Sequence, residues 1–492
     1  MKVLTNAQIR EADRRTIAGG TPGRELMRRA AQALFEAADI YAGSTYVICG
    51  KGNNGGDGYA LACILREKGC RVKVFATDSP KGDAEFFAEE YKRGGGEVFP
   101  VENCDYECDT IVDCLFGSGF HGQVDGVYKQ AIERINASGA FVLSADMPSG
   151  LNGDSGRGGA CVQADVTLAV QAARFGHFLG RGKDVCGRLE VADIDIDIGE
   201  AGADIIDEDF CAKLFPPRKN DSNKGTYGRC AVIGGSVNFP GAVKLADMGL
   251  SALQSGCGLC TIAAPAFLMP ALASCVVENT LFPLKDDGKG ICFDKEEADK
   301  LLRGLECVAI GPGIGANHHE TGKFIKELAA REIKLIIDAD GLNCLAQDLG
   351  AISGHRAQIL LTPHPMEMAR LCGSSLPEIL DSPVQTAVEF AKKHDVCVLL
   401  KGAATVITDG EKTALMKDGG PYLAKGGSGD VLTGVACGIA ARGYSLFASA
   451  AAASYLCATA GADVCAQIGE YGTLPSAVAR RIKQITDKYK NS

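Results

Sequence analysis

The chain has 492 residues, of which 61 are acidic and 51 basic, giving a net charge of −10. A single hydrophobic core rarely exceeds roughly 250–300 residues, so this length predicts at least two domains. The acidic balance excludes an overall field that would attract nucleic acid or an anionic membrane. The 62 glycines indicate many tight loops.

No stretch of the chain predicts insertion into a membrane. The opening MKVLTNAQIREADRR lacks the apolar core of a secretion signal, and no segment reaches the roughly 20 apolar residues of a membrane span. An alanine-rich run from Ala448 to Ala462 is interrupted by Ser449, Ser454 and Thr459, which predicts a packed helix. We therefore expect a cytoplasmic protein with no membrane partner.

The 21 cysteines are scattered through apolar segments, as small reduced core residues are. Cys257 and Cys260 form one CxxC motif, but the sequence around them offers no second pair of cysteines or histidines to complete a tetrahedral zinc site. The sequence gives a zinc site little support.

The first half alternates apolar, β-branched runs with amphipathic stretches, a rhythm that predicts strands separated by single helices. Such a sheet is mostly parallel, and its ligands lie beyond the carboxyl ends of the strands. Two helices precede the first of these strands, near 6–17 and 24–41. Four strands are predicted, at Tyr46–Cys49, Val72–Ala76, Thr110–Cys114 and Phe141–Ala145.

A first domain at 1–212 and a second at 213–492 are predicted from the pattern that follows. Leu189–Gly199 alternates apolar and acidic residues and is interpreted as the last strand of the first domain. Pro216–Lys219 reads as a connection. The second half then repeats the βα rhythm in RCAVIGG, LCTIAA, CVAIGPGIG, KLIIDADG, QILLTPHP and VCVLLKGAAT. The fold class is α/β in both domains.

Chemistry-bearing residues follow three of the first-half strands. The glycine-rich loop GKGNNGGDG suits a phosphate, because its amides and a helix N-terminus can approach an anion closely, although it matches neither the dinucleotide fingerprint nor the P-loop. Asp113 closes the third strand, and Asp146 and Ser149 follow the fourth. Buried carboxylates need a partner, which predicts a shared pocket at these strand ends.

The motifs GNNGGDG, VDCLFGSG and DMPSG, in this order over about the first 210 residues, resemble the NAD(P)HX epimerases and their Rossmann-like domain. The resemblance implies that Asp146 is the general base and that potassium is bound by the oxygen atoms of Asn54, Asp113 and Ser149, as a hard cation prefers. It also implies that the hydrated nicotinamide nucleotide is bound by Asn53, Asn54, Gly55, Gly56, Asp57, Gly117, Ser118, Gly119, Phe120, His121, Gly122, Gln123 and Asp146.

A second glycine-rich loop, GGSGDVLTG, precedes an apolar helical run near the C-terminal end. It places Asp430 in the first helical turn. Amides and a helix dipole stabilise moving negative charge, and Asp430 is positioned to take a proton from an attacking hydroxyl. This arrangement predicts phosphoryl transfer.

The ordered motifs NKGTYGRCAVIGGS, NFPGAVKLA, AIGPGIG, DADGLN, TPHPMEM, KGAAT and GSGDVLTG, over roughly residues 215–485, resemble the ADP- or ATP-dependent NAD(P)HX dehydratases of the ribokinase-like superfamily. The resemblance implies a ribokinase-like domain, Asp430 as the catalytic base, and magnesium with ADP or ATP. Substrate contacts are implied for Ala242, Gly315, His364 and Asp430. Nucleotide contacts are implied for Lys401, Gly402, Ala403, Ala404, Thr405 and Gly429.

Two positions depart from the family pattern. Asn223 stands where histidine is usual, and Met366 replaces a glycine beside His364, which itself reads equally well as a turn residue. The alternative function is a small-molecule kinase, for a vitamin precursor, with an accessory nucleotide-binding domain. The sequence leaves open ADP against ATP and NADHX against NADPHX, and the resemblance implies a homo-oligomer.

Overall fold

The computed structural model describes residues 1–37, 43–251, 257–315 and 318–489. The chain divides into two compact units, Met1–Asp204 and Ile205–Ser492. The sequence placed the division at 212, but Ile206 and Cys211 already pack in the core of the second unit. Both units are α/β, which confirms the predicted fold class.

The first unit is built on a seven-stranded sheet in the order β4-β3-β2-β5-β6-β7-β9, in which every neighbouring pair is parallel. The order reverses between β2 and β5, and ligands of open parallel sheets bind at such a reversal. Its elements are β1 Lys2–Leu4, α1 Asn6–Ala18, α2 Gly23–Glu36, β2 Ser44–Cys49, α3 Asn53–Glu67, β3 Arg71–Ala76, α4 Asp83–Arg93, β4 Val98–Pro100, β5 Thr110–Cys114, α5 Gly126–Ala137, β6 Phe141–Ala145, β7 Val166–Val170, β8 Ala173–Arg174, α6 Gly182–Val185, β9 Arg188–Ala192 and β10 Ala203–Ile205.

Helices cover both faces of this sheet, which explains why its strands are continuous apolar runs. Side chains of α2, α3 and α4 pack with one face of β2 and β5. Side chains of α5 pack with the other. The four strands predicted from sequence are confirmed as β2, β3, β5 and β6. The predicted helices near 6–17 and 24–41 correspond to α1 and α2, with residues 38–41 outside the described residues.

The predicted strand over Leu189–Gly199 is wrong in its second half, because β9 ends at Ala192. The amides of Ile194 and Ile196 donate to the side chain of Gln171, at 2.9 and 3.0 Å, instead of to a neighbouring strand. Both isoleucines pack with α1 and α2. The period-two pattern therefore reports an extended, half-buried loop, which alternates its side chains as a strand does.

The second unit has the sheet order β13-β12-β11-β14-β15-β16-β17-β18-β19, parallel up to β17 and antiparallel from there to β19. The six predicted strands are confirmed as β11, β12, β14, β15, β16 and β17. Its elements are α7 Glu208–Ala212, β11 Arg229–Ile233, α8 Pro240–Leu250, β12 Leu259–Pro265, α9 Met269–Ala273, β13 Thr280–Leu284, α10 Lys295–Leu301, β14 Cys307–Ile310, α11 His318–Ala329, β15 Lys334–Ile337, α12 Asp340–Leu345, β16 Gln358–Leu361, α13 Pro365–Cys372, α14 Leu376–Asp381, α15 Pro383–His394, β17 Cys397–Leu400, β18 Thr405–Thr408, β19 Thr413–Met416, α16 Ser428–Ala441, α17 Leu446–Ile468 and α18 Pro475–Lys488.

Two apolar helices, α16 and α17, form the centre of the second core. The alanine-rich run predicted as a packed helix is confirmed as α17, in which Ala450 to Ala453 are fully buried. Small side chains let neighbouring helices approach closely. Among the described residues, no helix is both long enough and apolar enough to cross a membrane.

Candidate active sites

A cavity of about 490 Å³ lies in the first unit where the sheet order reverses. Its walls come from the N-terminal turn of α3, the loop after β5, and the apolar faces of α1 and α2. Of the residues that the sequence assigned to the substrate, those that line the cavity are Asn53, Asn54, Asp57, Gly117, Ser118, Gly119, Phe120 and Asp146.

Some glycines of the first loop serve packing instead. A Cβ on Gly55 would lie 1.9 Å from the carbonyl oxygen of Gly50, and one on Gly50 would lie 2.0 Å from that of Leu115. Gly56 packs against Met27 in the same way. Gly50 and Gly55 thus allow the loop to lie close to the end of β5 and to the start of α3, and Gly56 allows α3 to pack closely on α2. The structure does not place Gly55, Gly56, His121, Gly122 or Gln123 on the cavity wall.

Asp146 is held from two sides at the bottom of the cavity. The amide of Ser118 donates to its Oδ2 at 2.8 Å, and Arg174 Nη2 contacts its Oδ1 at 3.1 Å. Its backbone has a φ of +62°, a conformation that favours glycine, asparagine and aspartate. Burial alone would raise the pKa of Asp146, but the charge of Arg174 and the Ser118 amide outweigh burial and lower it. The carboxylate is therefore ionised and oriented.

His177 holds the backbone at Asp146. Its Nε2 lies 2.9 Å from the carbonyl oxygen of Asp146, and its Nδ1 accepts from the amide of Arg174 at 2.9 Å. Burial lowers the pKa of His177 to about 4, so the ring is neutral and Nε2 carries its proton. This neutral ring fixes Asp146 and Arg174 in one geometry.

A second carboxyl group on the cavity wall has the opposite charge preference. Burial, followed by the nearby carboxylates of Asp146 and Asp13, raises the pKa of Asp57 well above its usual value. Asp57 is thus favoured in its protonated form, whereas Asp146 stays ionised. Two carboxyl groups whose pKa values are pushed apart can act as an acid and a base in one site.

The three residues assigned to potassium differ in how far their oxygen atoms are already hydrogen-bonded. Asn54 is 9% exposed, and neither its amide oxygen nor its amide nitrogen finds a partner among the described residues. Asp113 is fully buried and accepts four hydrogen bonds, from Ser144, from the amide of Leu115 and twice from Ser149. The Asn54 oxygen is therefore free to bind a cation, whereas the Asp113 oxygens are already occupied.

In the second unit, Asp430 lies in the first turn of α16 as predicted. The helix begins after Gly427, whose φ of +99° requires glycine, and Lys425 anchors this loop by donating to the carbonyls of Glu470, Tyr471 and Thr473. Free amides at such a helix start bind anions. The glycine loop is therefore held in one conformation at the start of α16, with Asp430 in the first turn.

Asp338, which directly follows β15, organises the surroundings of that loop. Its Oδ1 accepts from Thr362 at 2.7 Å and from Lys401 at 3.1 Å, and its Oδ2 accepts from Thr433 of α16 at 2.7 Å. A Cβ on Gly429 would lie 3.4 Å from the Lys401 ammonium. The structure thus brings together Lys401 and Gly429, both assigned to the nucleotide. By contrast, Ala404 is buried at the start of the β18 hairpin.

Asp430 has a pKa suited to proton transfer at neutral pH. Burial and the charge of Asp338 raise the pKa of Asp430 to about 7, with Lys401 opposing and Asp340 reinforcing the shift. A general base works best when its pKa lies near the operating pH. The carboxyl group can therefore both accept and release a proton.

Two other positions assigned to the substrate, Ala242 and Gly315, lie against or within the loop at 311–315. Gly315 donates its amide to Asp340 Oδ2 at 3.0 Å, and the buried hydroxyl of Ser236, next to Gly315, has no partner among the described residues. Ala242 lies against the neighbouring Gly313, where an added Cβ would be 2.7 Å from the Ala242 methyl group. Ala242 and Gly315 thus belong to one wall.

His364 is the N-cap of α13. Its Nδ1 accepts from the amides of Met366 and Glu367, at 3.1 and 3.3 Å, while Glu367 accepts from the His364 amide. The side chain of His364 is 47% exposed, and its Nε2 lies 3.5 Å from Glu367 Oε1. Met366 is 40% exposed, and Asn223 caps a short turn before β11. Neither departure fills the site.

Sequence reasoning missed His177 and three charged residues that contact the proposed bases or their partners. Arg174 follows β7 inside the apolar run AVQAARFG, where a charged residue is itself a signal. Asp338 is the first aspartate of the DADGLN motif and ends a strand. Glu367, within the TPHPMEM motif, is 6% exposed and lies 3.9 Å from Lys401.

The raised pKa of Asp430 predicts a stability difference. Because the folded value is about 7 and the ordinary value 3.8, the native state loses stability as pH rises from about 4 to 7. The full shift corresponds to roughly 4 kcal/mol, which partial exposure reduces to about 2 kcal/mol. We expect Asp430→Asn to raise the melting temperature of the second unit at pH 8 and much less at pH 4.5. The measurement is thermal unfolding at both pH values. An equal gain in melting temperature at each pH would contradict the raised pKa of Asp430.

The comparisons with known proteins cover both units of the chain. Residues 230–484 match the family profile described as NAD(P)H-hydrate dehydratase, and residues 23–176 match the profile described as YjeF-related protein N-terminus. A bifunctional NAD(P)H-hydrate repair enzyme from Moorella thermoacetica is 36% identical over 86% of this chain and 84% of the relative. The Coxiella burnetii protein of the same name is 33% identical over 95% and 96%.

Among solved structures, the Bacillus subtilis ADP/ATP-dependent NAD(P)H-hydrate dehydratase, co-crystallised with ATP and Mg²⁺, has a TM-score of 0.50 and 26% identity. It covers 58% of this chain and 99% of that chain. That coverage matches the length of the second unit alone and shows its ribokinase-like fold. The matches over both units favour the fused arrangement over a kinase with an accessory domain. The chain belongs to the family of bifunctional NAD(P)H-hydrate repair enzymes, in which an epimerase unit precedes a dehydratase unit.

Proposed function

We propose that the first unit interconverts the R and S hydrates of NADH and NADPH and that the second unit dehydrates the S form at the expense of a nucleotide donor. The observation that carries this proposal is the pairing, in the second unit, of Asp430 with Lys401 and a helix-start glycine loop. The ionised Asp146 and protonated Asp57 carry the first half.

In the second unit, Asp430 takes the proton of the ring hydroxyl as the hydroxyl oxygen attacks the terminal phosphorus of the donor. The new O–P bond replaces the bond to the leaving nucleotide. Amides of the glycine loop and the Lys401 ammonium stabilise the charge that develops on the phosphoryl oxygens. The ring nitrogen then expels phosphate, and loss of a proton from the adjacent carbon restores the dihydronicotinamide. Phosphorylation thus converts a poor leaving group into a good one.

In the first unit, Asp57 protonates the departing hydroxyl of the hydrated carbon, whose bond electrons leave with the oxygen as water. The ring nitrogen stabilises the planar cation that remains. Asp146 accepts a proton from water as that water adds to the opposite face, which inverts the centre. The buried Arg174 keeps Asp146 ionised for this step.

Potassium and magnesium complete the proposed cofactors. Asn54 fits a potassium ligand because its buried amide oxygen has no partner among the described residues, whereas the Ser149 hydroxyl already donates to Asp113. A bound cation there would supply positive charge next to the substrate phosphates. Magnesium would enter with ADP or ATP as part of the donor. We also propose that the protein is a cytoplasmic homo-oligomer.

An absorbance assay tests the function. The protein is mixed with hydrated NADH, Mg²⁺ and either ADP or ATP, and the dihydronicotinamide band is followed. We expect the S hydrate to be converted first and the R hydrate to follow through epimerisation, faster with K⁺ than with tetramethylammonium. If the band does not return with either donor, the dehydratase assignment is wrong. If only the S half is consumed, the epimerase assignment is wrong.

A further inference from the structure

Three buried thiols meet in the second unit, away from the proposed chemistry. Cys230 of β11 lies 3.5 Å from Cys257 and 3.7 Å from Cys260 of β12, sulfur to sulfur. All three side chains are at most 2% exposed, and their sulfur atoms lie within 4.8 Å of one another. The sequence showed only the Cys257–Cys260 pair. The parallel register, which sets Cys230 opposite Cys260, supplies the third thiol.

These separations are those of sulfur ligands around one small cation. A metal–sulfur bond of about 2.3 Å places ligand sulfurs roughly 3.8 Å apart in a tetrahedral site and roughly 4.0 Å apart in a trigonal one. The sulfur separations of 3.5 and 3.7 Å need to open by only a few tenths of an ångström. The third separation, between Cys257 and Cys260, is at most 4.8 Å.

Two further thiols lie next to the cluster. Cys437 of α16 contacts this group through Cys230 and packs 3.7 Å from Cys307.

The cluster lies at the opposite end of the strands from the loops around Asp430. Cys230 is the second residue of β11, whereas Ser236, next to Gly315, lies beyond the other end of that strand, after Ile233. Ile233 is three positions further along the strand than Cys230, and this distance is roughly 10 Å. An ion here would join β11 to β12 without contacting substrate.

We infer that Cys230, Cys257 and Cys260 form a trithiolate site for a thiophilic d¹⁰ cation, Zn²⁺ or Cu⁺. Each metal–sulfur bond that forms releases one thiol proton, and no electron is transferred. The ion ties the start of β12, which follows directly on Cys257, to the centre of the sheet. The site is structural and independent of the proposed function.

The experiment uses the whole chain, purified anaerobically with reductant, stripped with chelator and titrated with Cd²⁺ as the probe. We expect the sulfur-to-metal charge-transfer band to saturate at one ion per chain. Cys230→Ser should weaken binding by roughly tenfold or more, because one thiolate is lost. The matched control is Cys397→Ser, a buried cysteine of β17, four strands and roughly 19 Å from β11, which should titrate as the unchanged protein does.

Competition with Zn²⁺ and with Cu⁺ then identifies the preferred ion. X-ray absorption of the Cd²⁺-loaded unchanged protein counts sulfur neighbours and does not depend on whether a variant folds. Three sulfur neighbours are expected. Fewer than three, an unchanged titration in Cys230→Ser, or a Cys230–Cys257 disulfide in place of metal binding would overturn the inference.

Discussion

Asp430→Asn is expected to lower kcat of the dehydratase reaction by roughly 10²–10⁴-fold, the usual contribution of a general base. Asparagine keeps the size and shape of the side chain in the first turn of α16 but cannot accept a proton from the ring hydroxyl. The glycine loop and Lys401 are untouched, so the Kd of the donor nucleotide should change little. The measurement is dihydronicotinamide recovery from the S hydrate, with nucleotide binding followed by calorimetry.

The pH profile of the unchanged enzyme gives this prediction a second readout. Because the pKa of Asp430 is about 7, kcat should rise with pH through about 7 as the carboxylate forms. In Asp430→Asn that rise should disappear from the residual rate. A residual rate that keeps the same pH dependence would show that another group titrates.

Asp418→Asn is the matched control, since it removes an exposed carboxylate of the same unit that pairs with Lys417. It should leave both reactions unchanged. The epimerase rate provides an internal control in the Asp430 variant, because its site lies in the other unit. Asp430→Asn with an unchanged kcat would remove Asp430 from the mechanism.

Much of the fold could be predicted from the sequence, because a parallel sheet covered on both faces leaves continuous apolar runs. The prediction nevertheless missed β7, a buried apolar strand of the parallel sheet. Other strands that were missed have a different character. β18 and β19 form an antiparallel hairpin after β17, and β13 is a half-exposed edge strand containing Pro283. The incorrect end of β9 arose because Gln171, distant in sequence, binds the amides of the following segment. Such pairings between distant residues have no local signal.

The same distinction between local patterns and distant contacts applies to the two sites. Glycine loops followed by aspartates are local patterns, so Asp146 and Asp430 could be predicted. Their charge states could not, because these depend on Arg174 and Asp338, which approach only in the folded chain. The same holds for Cys230, which completes a cluster with a CxxC motif that looked incomplete in sequence. Motifs locate candidate chemistry, and tertiary contacts decide the pKa of each group.

Asp146→Asn is expected to slow epimerisation of the R and S hydrates by roughly 10²–10⁴-fold, because the cavity then lacks its ionised base. Asparagine is preferable to alanine here, because the φ of +62° at this position suits asparagine and strains alanine by about 1 kcal/mol. The substitution also leaves Arg174 buried without its counter-charge. We therefore expect the first unit to lose roughly 3–5 kcal/mol of stability.

A double variant separates the catalytic loss from the structural one. Asp146→Asn with Arg174→Met removes both charges of the buried pair and should restore most of the stability, since replacing a whole buried pair is often neutral. Epimerisation, followed by chromatographic separation of the two hydrates, should stay slow. The matched control is Asp195→Asn, which breaks an exposed aspartate–arginine pair, with Arg29, at a φ of +64°. It should cost under about 0.5 kcal/mol and leave the rate unchanged. If the stable double variant epimerises at the original rate, Asp146 serves only to neutralise Arg174 and another group inverts the ring carbon.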